Sequence, residues 1–366
     1  MTEWRECKLK DVCKYERISI NPQKYKILQF VHYSFPAFDN NKTPEIQFGG
    51  QIKSSKYIVK KGYILYNKLN VRFKRIWNIN FETPENSICS SEFLPILATK
   101  CNQDYLYYFL CSDELTDTMA NSNTGTSGSH QRIDPNFLMK YDILLPPLPE
   151  QKAIAEVLSS LDDKIDLLTR QNKTLEDLAQ AYFRKWFIED ASNKWEKKSL
   201  GEIVTINYGK ALPERERVSG KIPVYSSAGV TGWHNQYLVN SRGIVIGRKG
   251  TIGTIYWVPE PFYCIDTAYY ITPEDSKYDL TFIYFLLKTM SLQDLNEDSA
   301  VPGLNRNTIY SQEFLQPPDD LICKFIRLSN TLLQKIQSNT AQIHALSKLR
   351  DTLLPKLISG EIRVKM

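Results

Sequence analysis

From Pro146 to about Ile188 apolar residues recur in alternating steps of four and three. They are Ile154, Leu158, Leu161, Ile165 and Leu168, then a lone Asn172, then Leu175, Ala179, Tyr182 and Trp186. A heptad seam held this long predicts a helix of coiled-coil type, not an ordinary surface helix. Prolines close the segment before it, and neither Pro nor Gly interrupts its interior, as a long helix requires. Such a helix is about 55 Å long. A second seam lies near the C-terminus: Phe325, Ser329, Leu332, Ile336, Asn339, Ile343, Leu346, Arg350, Leu353 and Leu357.

The remainder reads as a duplication. Strand-like runs rich in Tyr, Phe, Ile and Val extend from a polar entry around Trp4 to about Leu97. YLYYFLCSDELTD (from Tyr105) predicts a short amphipathic helix with Leu106, Phe109 and Leu110 on one face. A Gly/Ser-rich loop from Asn121 to Arg132 follows, and YDILLPPLP forms a last strand. After the long helix the order repeats. Trp195 and its neighbours echo Trp4, GIVIGRKGTIGTIYWV (from Gly243) replaces KGYILYNKLNVRFKRIW, and FIYFLLK replaces LYYFLCS. AVPGLNRN (Ala300 to Asn307) replaces the Gly/Ser loop, and LQPPDD replaces LLPPLP. A repeat this long is no solenoid; the unit is one globular domain plus one long helix.

The phase of the two seams predicts their orientation. Antiparallel packing pairs Asn172 with Asn339, Leu168 with Ile343, Ile165 with Leu346, Leu175 with Ile336, Leu158 with Leu353 and Trp186 with Phe325. Parallel packing strands both amides in an apolar seam, whereas facing amides offset much of that cost and fix the register. The expected fold class is α+β: two similar domains of mixed structure at opposite ends of an antiparallel helix pair, related by a pseudo-twofold axis.

Bulk properties change this picture little. The 366 residues are 42% hydrophobic and 24% charged, and the net charge of +5 permits nucleic acid as a partner without demanding it. The 7 cysteines are scattered and contain no CxxC, and the 4 histidines are far apart. That argues against a disulfide framework or a zinc site and for reduced thiols in a cytoplasmic protein. No signal peptide or membrane span is expected. Cys264 and Cys323 read as small core residues.

Charge placement is more telling. No acid occurs between Glu45 and Glu82, an interval holding Lys68, Arg72, Lys74 and Arg75 among other cations. In the matching interval between Glu216 and Glu260 acids are again absent, and Arg242, Arg248 and Lys249 lie there with Ser226 and Ser227. These basic, aromatic-rich faces suit phosphate neutralisation and hydrogen bonding to base edges, although a basic run alone also fits a solvated surface. The loops with Ser129, His130, Gln131 and Arg132, and with Asn305, Arg306 and Asn307, carry side chains suited to base readout or, equally, to turn geometry. The first helix is acidic at Asp162, Asp163, Asp166, Glu176 and Asp177, which suits docking of a protein. Catalytic signatures are missing: GRKGTIG lies between two strands rather than before a helix, and neither Pro-Pro pair is followed by the aromatic residue an amino-methyltransferase motif needs.

LLPPLPEQKAIAEVLSSLDDKI, the ending LRDTLLPKLISGEIRV, and the domain–helix–domain–helix order resemble the specificity subunit of type I restriction–modification systems. IPVYSSAGVTGW and GIVIGRKGTIG resemble features of its target recognition domains. The second helix departs from the pattern, with LQPPDDLICKF in place of the LPxQ entry. The resemblance implies target recognition domains at 1–146 and 191–318, spacer helices at 147–190 and 319–366, and a seam through Leu158, Leu161, Ile165, Leu168, Asn172, Leu175, Ile336, Asn339, Ile343, Leu346 and Leu353. It further implies that each domain reads half of a bipartite double-stranded DNA site while the helices set the gap. Two modification (methyltransferase) subunits would dock on the helices, joined by restriction subunits. The chain would need no cofactor itself; S-adenosylmethionine, ATP and magnesium would serve its partners. The competing readings are a subunit of a related type IIB-like or phage-defence system, and a stand-alone nucleic-acid-modifying enzyme.

Overall fold

The computed structural model describes residues 4–40, 42–122, 132–295 and 303–364. Ser129, His130 and Gln131 lie outside these residues. The chain divides into two units, one of residues 1–166 and 344–366 and the other of residues 167–343, so the division cuts through both long helices.

In the first unit a four-stranded antiparallel sheet runs in the order Cys13–Tyr15, Phe93–Ala98, Tyr63–Asn67, Ile76–Asn78. Tyr63–Asn67 is buried throughout, because both faces of the sheet are covered. The strand period of two therefore divides its side chains between two cores. Ile64, Tyr66, Leu94 and Ile96 face the helix Gln103–Leu110 and the long helices; Tyr63, Leu65, Trp77 and Phe93 pack with Tyr33 and Ala37. A five-stranded sheet (Ser19–Ile20, Lys56–Ile58, Ser87–Cys89, Gln29–Tyr33, Glu45–Phe48) and the pair Arg5–Lys8 with Asp142–Leu145 complete the sheets. Where one amphipathic helix is expected from Tyr105 there are two, Gln103–Leu110 and Asp113–Asn121, broken at Cys111 and Ser112.

The second unit repeats the plan. Its four-stranded sheet has the order Asn207–Tyr208, Ala268–Ile271, Gly243–Gly247, Ile255–Val258. Again the period of two divides the side chains, Ile244, Ile246, Tyr269 and Ile271 toward the helices and Val245, Val258 and Ala268 away from them. Lys197–Ser199 pairs with Glu313–Leu315 as Arg5–Lys8 pairs with Asp142–Leu145. The divergent part is the outer sheet, which has only three strands here, Gly229–His234, Ile222–Ser226 and Tyr263–Cys264.

The first long helix spans Leu148–Arg184 and ends in a π-helical turn, Lys185–Glu189; the second spans Asp319–Ser359. Gln151 anchors the start of the first. Its Nε2 donates to the Pro146 carbonyl at 2.8 Å, and its Oε1 accepts from the Asn102 amide at 2.7 Å. Beside it the Glu150 carboxylate is buried, held by Arg363 (Nη2 to Oε2, 2.6 Å) and by the Trp4 indole at 3.1 Å. Asp319 and Asp320 at the start of the second helix are exposed.

Within the second unit the helices run antiparallel, since Phe183 meets Phe325 and Asn172 meets Asn339. The buried Asn339 amide donates to Asn172 Oδ1 and Gln171 Oε1, both at 2.9 Å, and Asn172 donates to Thr340 Oγ1 at 3.2 Å. Leu158 and Leu168 are buried; Leu161, Ile165, Leu175, Ile336, Ile343, Leu346 and Leu353 are half-buried. Tyr182, expected in the seam, is 37% exposed, and Phe183 is buried in its place. Phe183 and Phe187, four residues apart and so on one face of the helix, both meet Phe325 edge-on. Cys264 is buried as expected, but Cys323 is exposed, because the buried face of this turn is filled by Ile322 and Phe325.

The acidic residues of the first helix do not all face outward. Asp162 accepts from Tyr108 Oη at 2.8 Å and pairs with Arg350 at 2.7 Å. Glu176 accepts from Tyr284 Oη and Lys288 Nζ. Burial pushes the Glu176 carboxyl up, but the hydrogen bonds from Lys288 and Tyr284 outweigh it and hold the group below its ordinary value. Among the described residues no helix is long and apolar enough to cross a membrane.

Two tests follow from the packing. Replacing Asn172 by Leu removes one of two acceptors from the buried Asn339 amide and should cost about 1–3 kcal/mol in urea unfolding. The double replacement with Asn339→Leu should recover most of that loss, and no recovery would count against the paired amides as the source. A carboxylate depressed in the folded state stabilises above its unfolded pKa, and that stability is lost as pH falls through the folded one. Glu176→Gln should therefore lower Tm at pH 7 and flatten the acid limb of the Tm–pH curve below about pH 4.5; an unchanged acid limb would show that Glu176 does not titrate with unfolding.

Candidate nucleic-acid interface

In each unit the central strand of the four-stranded sheet ends on a cation, and the chain returns beside it after a long excursion. In the second unit that strand is Gly243–Gly247 and the cation Arg248, whose carbonyl accepts from the Leu304 amide at 2.9 Å; Lys249 forms a bridge with Gly303. In the first unit Tyr63–Asn67 ends on Lys68, whose carbonyl accepts from Ile133 at 3.0 Å, and Leu69 forms a bridge with Arg132. Asp134 and Asn305 then cap the short helices Pro135–Met139 and Arg306–Tyr310 in the same way, by accepting from the amide two residues on.

The second unit assembles its candidates around Tyr208, a ring 47% exposed. The Arg248 guanidinium carbon lies 5.0 Å from the centre of that ring and the Arg306 carbon 4.9 Å. Arg248 also lies 5.6 Å from Tyr269, whose ring meets Tyr208 edge-on at 5.1 Å and whose hydroxyl donates to the Leu304 carbonyl at 2.9 Å. Stacking of this kind orients a guanidinium and contributes about 0.5–1 kcal/mol per exposed contact. Main-chain carbonyls fix the remaining directions: Arg248 Nη1 donates to Asp266 at 3.2 Å and Arg306 Nη1 to Ile206 at 3.3 Å. Arg306 Nε is buried with no hydrogen-bond partner among the described residues. No carboxylate among the described residues pairs with Arg248, Lys249 or Arg306. Asn305 and Asn307 are exposed beside them.

Other candidates serve the fold. Ser226 closes the hairpin between Ile222–Ser226 and Gly229–His234 by accepting from the Ala228 amide at 3.1 Å. Ser227 is buried, and its carbonyl accepts from Thr254 at 2.6 Å. Arg242 pairs with Asp279 at 2.8 Å at the opposite end of its strand. The glycines of GRKGTIG serve the turn: Gly253 has φ +70°, and a Cβ there would lie 2.2 Å from the Gln293 amide.

Most of the candidate cations of the first unit are already paired. Arg75 clasps Asp39 through Nε and Nη2 at 2.8 and 2.7 Å and stacks on Phe35 and Phe73. Lys74 pairs with Asp113 and donates to the Cys111 carbonyl at 3.0 Å. Arg132 clasps Glu92 at 2.7 and 3.0 Å. Arg72 stays exposed, next to Phe73, which is itself 64% exposed. Burial lowers the Lys68 ammonium; neighbouring Arg17 and Arg132 lower it further against the opposing pull of Glu92. Each paired acid lies outside the acid-free stretch of sequence, so the stretch overstates the free charge. Tyr208, Tyr269, Arg17 and Glu92 escape a reading of the sequence because strand pairing brings them to the site from distant segments.

Comparison with known proteins gives one answer for both halves. The family model for the type I restriction modification DNA specificity domain matches residues 1–177 and 192–338. The specificity subunit of the type I restriction enzyme MjaIX of Methanocaldococcus jannaschii is 28% identical over 302 residues, covering 72% of this chain and 69% of that one. The HindI specificity subunit of Haemophilus influenzae is 22% identical, with 99% of this chain and 100% of that one covered. The crystal structure of a type I restriction–modification S subunit from M. genitalium shares the fold, with TM-score 0.61 and 18% identity over 97% of this chain and 96% of that one. With both repeats matched, the chain belongs to the type I restriction modification DNA specificity family.

Proposed function

We propose that this chain is the DNA sequence-specificity subunit of a type I restriction–modification complex, each globular domain reading one half of a bipartite, asymmetric DNA site. The observation that carries the reading is the duplicated strand end, Lys68 with Arg132 and Arg248 with Lys249 and Arg306, in a chain whose two halves both match the family. Stacked guanidiniums and exposed amides are the groups that hold phosphates and read purine edges. In this reading Arg248, Arg306, Asn305 and Asn307 form the DNA contact of the second domain, and Lys68, Arg72 and Arg132 that of the first. Ser129, His130 and Gln131 are retained as candidates from sequence alone.

The chain specifies and its partners act. Two methyltransferase subunits dock on the long helices, which set the gap between half-sites, and restriction subunits join the assembly. The docking face is composed of what the helices leave exposed, Asp163 and Asp177 among the acids, since Asp162 and Glu176 are spent inside the chain. S-adenosylmethionine, ATP and magnesium belong to those partners, and the complex works on DNA in the cytoplasm.

The chain assembled with its modification subunits and supplied with S-adenosylmethionine should methylate adenine within a bipartite sequence, whereas the chain alone should be inactive. Methylation or cleavage by the chain alone would overturn the reading. Exchanging residues 195–318 for another such domain should alter one half-site in the methylome and leave the other intact; change in both would contradict modular readout. Replacing Arg248 and Lys249 with Ala should weaken DNA binding and lower the slope of log K against log salt by about 1–2, since each lost phosphate contact removes about 0.9. An unaltered slope would place this strand end away from the DNA.

A further inference from the structure

The two strand ends can be matched residue by residue through their hydrogen bonds. The Lys68 amide donates to the Glu92 carbonyl at 2.8 Å, and the Arg248 amide donates to the Thr267 carbonyl at 3.0 Å. Phe93 pairs with Asn67 as Ala268 pairs with Gly247, so Glu92 and Thr267 occupy one position of the repeat, immediately before equivalent strands. Carrying the register across the sheet matches Tyr208, which faces Tyr269, with Arg17.

Equivalent backbone thus carries opposite electrostatics. In the first domain the position is a carboxylate, and both its oxygens are taken by Arg132 at 2.7 and 3.0 Å. The other cations at this strand end are Lys68, a partly buried amine crowded by like charge, and Arg17, stacked on Tyr15 at 4.9 Å; Arg72 lies exposed four residues further on. In the second domain the position is a threonine whose Oγ1 accepts from the Ser227 amide at 3.4 Å, and Arg248 and Arg306 share the Tyr208 ring with no carboxylate among the described residues paired to either. A guanidinium keeps its charge wherever it is placed and offers a planar fork to a phosphate, whereas a lysine gives up its proton more readily on burial.

We infer that the two domains grip DNA unequally: the second is the electrostatic anchor, holding backbone phosphate between Arg248 and Arg306, and the residue at the Glu92/Thr267 position sets the strength of each grip. The first domain, its strand-end Arg132 already paired, contributes less to affinity and depends less on salt. The Arg132–Glu92 pair is exposed enough to open, so a DNA phosphate competes with Glu92 for Arg132 rather than meeting a free charge. This inference rests on the DNA-specificity reading above.

The test exchanges the two side chains in the full chain assembled with its modification subunits, using a random-sequence duplex so that only the phosphate contribution is read. Binding is followed from about 50 to 200 mM salt. Thr267→Glu should weaken binding about tenfold and lower the salt slope by about 1, and Glu92→Thr should strengthen binding and raise the slope by about 1. Melting curves check folding; should Thr267→Glu fail to fold, the shorter Thr267→Asp and the Glu92→Thr arm decide the matter. Acidic substitution at Thr267 without change of slope, in a complex that still methylates its bipartite site, overturns the anchor and leaves the specificity reading standing. A wild-type complex that binds no DNA at all overturns both.

Discussion

A tyrosine bound to a carboxylate joins each globular domain to the first long helix. Tyr108 reaches Asp162 in the first unit and Tyr284 reaches Glu176 in the second, from equivalent turns of equivalent helices, Gln103–Leu110 and Leu280–Lys288. Burial and the adjacent carboxylate both raise the phenol pKa, which favours the protonated, donating form of each tyrosine. A cation completes each site, Arg350 from the second helix in one case and Lys288 from the domain in the other. Half-buried charge is tolerable only when so paired, which sets how each domain is seated on the helix. The aromatic cluster of Phe183, Phe187, Phe282, Phe285 and Phe325 then packs around a geometry that directional bonds have already limited.

Local patterns revealed much of this. The heptad seam marked both helices, and its phase brought Asn172 opposite Asn339 because a polar residue in an apolar row is conspicuous. The duplication was legible in turn and strand order, whereas the match of Lys68 with Arg248 emerges only from strand register. Failures came where a side chain's partner is distant in sequence. Asp162 and Glu176 read as solvent-facing because nothing near them announces Tyr108 or Tyr284. Tyr182 and Phe183 are adjacent aromatics, and only the distant Phe282 and Phe325 that pack on Phe183 decide which is buried. The helix expected from Tyr105 is broken where the Cys111 carbonyl turns to accept Lys74.

The candidate interface shows the same limit. An acid-free interval in sequence is not an acid-free surface in space, since Asp39, Asp113 and Asp279 come from outside the intervals to pair with Arg75, Lys74 and Arg242 inside them. In the second unit the unpaired guanidiniums of Arg248 and Arg306 are gathered on Tyr208, with Tyr269 beside it. The tyrosines hold the guanidinium planes without neutralising them, and so spare the ligand part of the cost of ordering two long side chains.

The strand end also bears on how such a protein changes over time. At the position shared by Glu92 and Thr267 both domains use the main-chain carbonyl, which receives the amide of the cation across the strand pair, and only the second also uses the side chain, through the 3.4 Å bond from the Ser227 amide to Thr267 Oγ1. Any residue except one that distorts the strand supplies that carbonyl. The side chain is therefore only lightly committed to the fold while standing at the charged end of the sheet, and mutation can adjust the affinity of one domain with little disturbance of its core. A scaffold of this kind separates the part of the sequence that must be kept from the part that can be spent on new targets.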